Sequence, residues 1–250
     1  MTWLELEGAV NVRDLGGLAT VDGHITRSGV LLRSDNLQDL TPKDLQILDE
    51  LGVRTVLDLR TAPEVELIGP GPLRATDVRH VHLDLIPHGF EGREDLVERA
   101  LPDETAGENA MDHFYFDYVA HAPEQIAQAL REIADPGNGA VLVHCAAGKD
   151  RTGVVCALAL SLVGVTRSVV VDDYVRTDDR IAAVRERLLT TELYRPYQLE
   201  RTLDSMRPHA GNMERFLDRI DASFGGVHAM AAAIGVDEET VARLSRRLLH

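Results

Sequence analysis

The chain has 250 residues, enough for one large domain or two small ones, and only 4% are aromatic, so its core must rest on Val, Leu, Ile and Ala. Its formal charge is −15, which argues against nonspecific nucleic-acid binding and against lasting attachment to an anionic membrane. An anionic ligand would have to be drawn by a local positive pocket and not by the global field.

Residues 1–7 carry neither a basic stretch nor an apolar run, so no signal peptide is expected, and no apolar run approaches the length of a membrane span. The expected location is the cytoplasm, or outside the cell by a route that needs no cleavable signal. Residues 19–26 centre on Asp22-Gly23, a two-residue hairpin turn. Thr41 is an N-cap with Pro42 at the first helical position and Asp44 at the third. Leu45, Leu48 and a stop at Gly52 complete a short amphipathic helix. Residues 53–59 read as a buried strand ending at Arg60, and residues 80–85 alternate as a second strand. Residues 86–110 are rich in Gly, Pro and charge and read as loop or short helix. Met111, Phe114, Tyr115, Tyr118 and Val119 recur at helical spacing over 109–122. Four of the chain's eleven aromatics fall in 114–118. Either they staple this helix to the core, or Tyr115 or Phe116 lines the mouth of a site. Pro123 opens a further helix that Asp135-Pro136-Gly137 stops.

Residues 139–143 form an apolar run and residues 154–164 another. Between them stands His144-Cys145-Ala146-Ala147-Gly148-Lys149-Asp150-Arg151-Thr152-Gly153. The pattern predicts a strand, a tight loop and a helix. Such a loop can turn its backbone N–H groups inward, and with the helix dipole they form an anion cradle. A thiol beneath that cradle ionises readily, and an arginine six residues on can clamp a phosphate with its planar fork. The second cysteine, Cys156, lies roughly 16 Å further along a helical axis, too far for a disulfide with Cys145, and reads as a packed small hydrophobe. One reactive and one inert thiol fits a reducing compartment. Only two of the 26 basic residues are lysines, Lys43 and Lys149. A lysine kept inside the loop of an arginine-rich chain points to a use for an ammonium there.

After the loop helix, Thr166 caps a helix over 167–174, and further helices are expected over 177–189, 212–224, 227–234 and 237–249. Residues 196–207 read as irregular or short helix. The last two helices imitate a helix-turn-helix, but the second opens on Asp237, Glu238 and Glu239, which speaks against DNA. Strands alternating with helices imply an α/β sheet covered on both faces, with ligands beyond the strand C-termini. Arg60, Asp84 and Cys145 all fall at such ends.

The loop resembles the C-x5-R-[ST] signature of the cysteine-dependent phosphatases. Its longer form is similar to the H-C-x-x-G-K-D-R-T loop of the bacterial tyrosine-phosphatase-like family, a branch of the protein-tyrosine-phosphatase superfamily that includes secreted pathogen enzymes acting on phosphoproteins and phosphoinositides. The resemblance extends to 11–17 (Asn-Val-Arg-Asp-Leu-Gly-Gly), 31–36 (Leu-Leu-Arg-Ser-Asp-Asn), 56–60 (Val-Leu-Asp-Leu-Arg) with Glu64, and Asp173-Tyr174. It implies one phosphatase domain over 1–250: α/β, a central twisted, mainly parallel sheet flanked by helices, with helical insertions. Within it, 86–122 is a candidate lid or insertion and 212–250 holds the C-terminal helices.

In this reading Cys145 is the nucleophile. The backbone of Ala146, Ala147 and Gly148 cradles the phosphate, and Arg151 holds two of its oxygens more tightly as charge develops. Thr152 either donates its hydroxyl to the leaving sulfur or bonds backbone. His144 orders the loop and Gly153 lets the helix pack closely on the sheet. The general acid is Asp150, inside the loop, or Asp84, at a strand end where better-known tyrosine phosphatases carry theirs on a mobile loop. Asp58 is a third candidate, but nearby Arg60 marks it for an ion pair. The family resemblance favours Asp150. Lys149 reaches either the reacting phosphoryl group or a second phosphate. Asn11, Arg13 and Asp14 contact the loop or substrate, or brace the N-terminal arm, and Arg60 at its strand end is a further candidate to bind the substrate phosphate.

The sequence therefore predicts a phosphomonoesterase needing no metal and no cofactor. Its partner is a phosphorylated protein or a phosphoinositide, with phosphotyrosine leading and phosphoserine or phosphothreonine also open; no nucleic acid and no integral membrane segment enter. Two alternatives stay open: a rhodanese-like sulfurtransferase, opposed by Arg151-Thr152, and a non-catalytic phosphoprotein- or phospholipid-binding module, opposed by the intact Cys145–Arg151 pair.

Overall fold

The computed structural model describes residues 1–86 and 110–250. Its sheet has the order β1-β2-β3-β6-β4-β5. β6 (Ala140–His144) lies between β3 (Leu31–Ser34) and β4 (Val53–Asp58) and runs parallel to both. β5 (Arg79–His82) extends the parallel block beyond β4, and β1 (Thr2–Trp3) and β2 (Arg13–Asp14) add an antiparallel edge beside β3. All five residues of β6 are buried, as expected of a β-branched strand covered on both faces.

Two apolar layers flank this sheet. The larger contains Leu57, Val141 and Val143 from the strands, with Val154, Leu158 and Leu160 of helix Asp150–Leu162 and Ile126, Leu130 and Ile133 of helix Pro123–Ala134. The smaller gathers Leu32, Val56 and Leu142 under helix Pro42–Glu50. The capping box predicted for that helix is present: Thr41 Oγ1 accepts from the Asp44 N–H, and Asp44 accepts from the Thr41 N–H. The Asp22-Gly23 turn carries positive φ at Gly23 and an antiparallel bridge between Ala19 and Ile25.

Several elements differ from expectation. The second strand is shorter than predicted, so Asp84 lies beyond its end. β2, β3 and helix Ala62–Ile68 were not legible as elements. Thr166 stands at the N-cap of helix Arg167–Val175, but its side chain makes no cap bond. The C-terminal pair, Val227–Ala233 and Glu238–Leu248, sends Met230, Leu244 and Leu248 into the main core. Tyr115 is fully buried, and Phe116 packs against Phe224 with Arg219 over its ring, so neither lines the cavity at Cys145; Tyr118 of the same helix does. Of the candidate lid, residues 87–109 lie outside the described residues.

Candidate active site

The loop after β6 is turned inside out by its carbonyls. Ala146 O accepts from the Asn36 N–H at 3.2 Å, and Ala147 O from Asn11 Nδ2 at 2.9 Å. Gly148 O accepts from Arg33 at 2.7 Å and from Asn11 Nδ2 at 3.3 Å. A peptide plane whose C=O is held outward presents its N–H inward. Among the described residues, no backbone N–H from Ala146 through Thr152 donates to a protein acceptor. Buried donors do not stay unpaired without reason, and this row at the start of helix Asp150–Leu162 has the geometry to receive an anion. Gly148 has φ +65°, and a Cβ there would stand 2.5 Å from Ser34 O, so only glycine fits.

Cys145 lies at the floor of this cradle, 2% exposed. It lines a cavity of about 250 Å³ walled by Tyr118, Tyr194, Tyr197 and Leu193 together with Lys149, Asp150 and Arg151. Thr152 Oγ1 is buried and has no hydrogen-bond partner, so its hydroxyl is uncommitted. Gly153 sits against Tyr174, whose ring a Cβ would meet at 3.1 Å.

Arg151 is aimed by Glu64. Two guanidinium nitrogens reach the two carboxylate oxygens at 2.5 and 3.1 Å, and one also donates to Leu59 O at 3.3 Å. Glu64 belongs to a capping box, in which its carboxylate accepts from the Thr61 N–H at 2.6 Å. It accepts a further bond, at 2.6 Å, from the Tyr194 hydroxyl. Burial pushes the Glu64 carboxyl up, but the Arg151 charge and these hydrogen bonds outweigh it and hold its pKa down at about 2.

A second buried charge network braces the loop from behind. Asp173 accepts from Arg13 Nε at 2.8 Å and from Arg33 at 2.5 Å, all three being buried. Arg13 also donates to Asn11 Oδ1 at 2.7 Å, which orients the Asn11 amide toward Ala147 and Gly148. Burial and the neighbouring Arg33 charge lower the Arg13 pKa to about 10 against the pull of Asp173. Arg13 and Asn11 therefore shape the cradle from outside; neither lines the cavity. Arg60 is likewise outside it, committed to Asp58 at 2.6 Å and to Gly69 O at 3.0 Å. His144 faces the same Asp58 at 3.5 Å and Cys145 O at 3.3 Å, and burial pushes its pKa down to about 4.

The two leading acid candidates part ways. Asp150 lines the cavity, half-buried, with Oδ1 accepting from the Tyr115 hydroxyl at 2.5 Å. Asp84 does not line it; its two oxygens accept from the Ala62 and Ile86 N–H groups at 3.0 and 2.9 Å, tying down a turn and a helix start. Lys149 is buried inside the cavity wall, Nζ donating to Met206 O at 2.7 Å and lying 3.7 Å from Asp150. Burial lowers its pKa, opposed by Asp150. Cys156 is buried in the core, where burial raises its pKa to about 12, the thiol of a packing residue.

Glu64's grip on Arg151, and the parts played by Arg33, Asp173 and Tyr194, were not legible from single residues, and Tyr115, expected in the core or at a site mouth, instead holds Asp150 from a fully buried position. The only sequence signal for Arg33, Glu64 and Asp173 was that they fall inside the landmark segments. Among the described residues, no group of three or more His, Cys, Asp or Glu is placed to hold a metal ion, and no helix is long and apolar enough to cross a membrane.

A family model described as the tyrosine phosphatase family matches residues 4–250. The triple specificity protein phosphatase PtpB of Mycobacterium tuberculosis is 35% identical over 208 residues, covering 74% of this chain and 72% of that protein. A tyrosine-protein phosphatase of Nostoc commune is 31% identical over 225 residues, covering 87% of this chain and 73% of its own. Among solved structures, the Siw14 catalytic core aligns over 88% of this chain and 95% of its own, at 16% identity and a TM-score of 0.41.

Proposed function

The chain belongs to the tyrosine phosphatase family and is a phosphatase; from that premise we propose that it hydrolyses phosphotyrosine foremost, through a cysteinyl-phosphate formed on Cys145. The observation that carries the reading is the row of unpaired N–H groups around a deeply set cysteine, with Arg151 fixed beside it.

The Cys145 thiolate attacks phosphorus, the bond to the leaving oxygen breaks, and Asp150 gives that oxygen its proton. Water then attacks the phosphocysteine, returning a proton to Asp150 while the S–P bond breaks and the thiolate is restored. The cradle N–H groups and Arg151 bind the equatorial oxygens of both transition states, and Thr152 Oγ1 is free to donate to the departing sulfur. These steps use only groups of this chain, so turnover is expected to survive EDTA.

The apolar and aromatic wall above Cys145 favours a phenyl ring over a short alkyl stem, because the nucleophile lies deep. Lys149 keeps phosphoinositides as a second reading: it adds a buried ammonium to the same cavity, and a relative of this chain bears the name triple specificity phosphatase. Initial rates on a phosphotyrosyl peptide, the matching phosphoseryl peptide and a soluble phosphoinositide test the order. kcat/KM should be highest for phosphotyrosine; equal or higher values for the phosphoseryl peptide would contradict this order.

A further inference from the structure

A second cavity, of about 640 Å³, lies at the opposite end of the sheet from Cys145. Its floor is the chain entering three parallel strands: Gly29 and Val30 before β3, Leu51 and Gly52 before β4, and Gly139 with Ala140 at the start of β6. β6 spans the distance between the two cavities, roughly 17 Å for its five residues.

Four arginines line it, Arg27, Arg243, Arg246 and Arg247, and among the described residues no carboxylate does. That concentration stands out in a chain of formal charge −15. The helix dipole accounts for Arg246 and Arg247, which sit in the last turn of helix Glu238–Leu248. It does not account for Arg27, which comes from the segment before β3, nor for Arg243, one turn earlier on the helix.

The four heads are held differently. Arg247 donates to the carbonyls of Ile133, Asp135 and Gly139, which fix it without cancelling its charge; burial lowers its pKa and the Asp135 charge opposes that. Arg243 donates to Thr240 Oγ1 at 3.0 Å. Arg246 pairs with Glu239 at 2.8 Å, both largely exposed, a pair easily exchanged for a better anion. Arg27 has no side-chain acceptor among the described residues. One fixed and three adjustable guanidinium groups around an open cavity are the chemistry that takes tetrahedral oxyanions bidentately.

We propose that this cavity is a second anion site, which takes a phosphate group independently of the catalytic centre. The group can belong to a soluble polyphosphate or to a lipid headgroup, and the test separates the two.

Inorganic pyrophosphate is titrated calorimetrically into the parent, into Arg151→Ala and into Arg27→Gln/Arg243→Gln. The parent should show two sites, and Arg151→Ala the distal one alone. The double variant should bind at least tenfold more weakly at the distal site, while hydrolysing p-nitrophenyl phosphate within twofold of the parent. Arg27→Gln alone, at an exposed position, gives an intermediate loss and guards against misfolding of the double variant. In parallel, neutral phosphatidylcholine vesicles with and without a phosphoinositide are sedimented with the parent and the double variant. Arginine-dependent sedimentation only with the phosphorylated lipid identifies a headgroup; arginine-dependent pyrophosphate binding alone identifies a soluble ligand. A single site in the parent with no vesicle binding, or binding unchanged by removal of Arg27 and Arg243, overturns the proposal.

Discussion

The Tyr115 hydroxyl donates to Asp150 Oδ1 at 2.5 Å, and on its other side lies 2.7 Å from the Tyr174 hydroxyl. Burial and the Asp150 charge push the Tyr115 pKa well above its ordinary value, so it remains a donor at any working pH. The proposed acid is thus held by a buried tyrosine pair from two helices far apart in sequence. Tyr115→Phe keeps the ring and removes one hydrogen bond, a loss of about 0.5–1.5 kcal/mol, or roughly two- to tenfold in rate. The fall should be larger for alkyl than for p-nitrophenyl phosphate, because a poor leaving group depends more on the acid. Asp150→Asn should show the same selectivity more strongly, and Asp84→Asn should not show it. Selective loss in Asp84→Asn alone would move the acid out of the loop.

Glu64 and His144 both contribute stability that is lost in acid. The Glu64 pKa is held down at about 2 from an ordinary 4.5, so its pairing stabilises the fold above that range and is lost as pH falls from 4.5 through 2. His144, lowered by burial to about 4 from 6.5, stays neutral in the fold while the unfolded chain takes up its proton, so stability is also lost as pH falls from 6.5 to 4. Glu64→Gln leaves Arg151 buried without a counter-charge and should cost about 3–5 kcal/mol near pH 7. Denaturant melts of parent and variant across pH 7 to pH 3 check this: the gap should narrow below about pH 4.5, and a constant gap would assign Glu64 no ionic role.

Lys149 should tune substrate class. Lys149→Met keeps the buried stem and removes the ammonium. A contact to a second phosphate is worth about 1.5–3 kcal/mol, so phosphoinositide turnover should fall tenfold or more while phosphotyrosine turnover falls less. Parallel kinetics on the two substrates decide it, and equal losses would place the ammonium on the reacting phosphoryl group or on the Met206 carbonyl alone.

The loop was legible because its chemistry is local: cysteine, glycine and arginine stand within seven residues, between a strand and a helix of clear apolar pattern. The braces behind it were not. Arg33 sits fully buried on a strand, where a charge reads as solvent-facing until Asp173, 140 positions away, is brought to it. Helix Ala62–Ile68 is too short and too acidic to show an apolar stripe, yet it carries Glu64 to Arg151 across 87 positions. Asp84 looked like a strand-end acid because the alternation of residues 80–85 ran past the true end of β5. Of the two aromatics that could reach the mouth of the site, Tyr115 is in the core and Phe116 is covered by Phe224 and Arg219, neighbours from a distant helix that helical spacing alone does not reveal.

The two cysteines offer a check on burial against chemistry. Cys145 opens onto the cavity, and Cys156 is sealed in the core with its pKa raised to about 12 by burial. Iodoacetate should label Cys145 first, and added phosphate should slow that labelling by occupying the cradle. Peptide mapping reports both, and earlier labelling of Cys156 would contradict the placement.

The central claim is the covalent intermediate on Cys145. Denaturing quench of a reaction with phosphate-labelled substrate, followed by peptide mapping, reads it directly. The label should appear on the peptide containing Cys145, be absent from Cys145→Ser, and that variant should still bind phosphate while its turnover drops far more than tenfold. Turnover of Cys145→Ser within tenfold of the parent, or label on any other residue, would contradict the account.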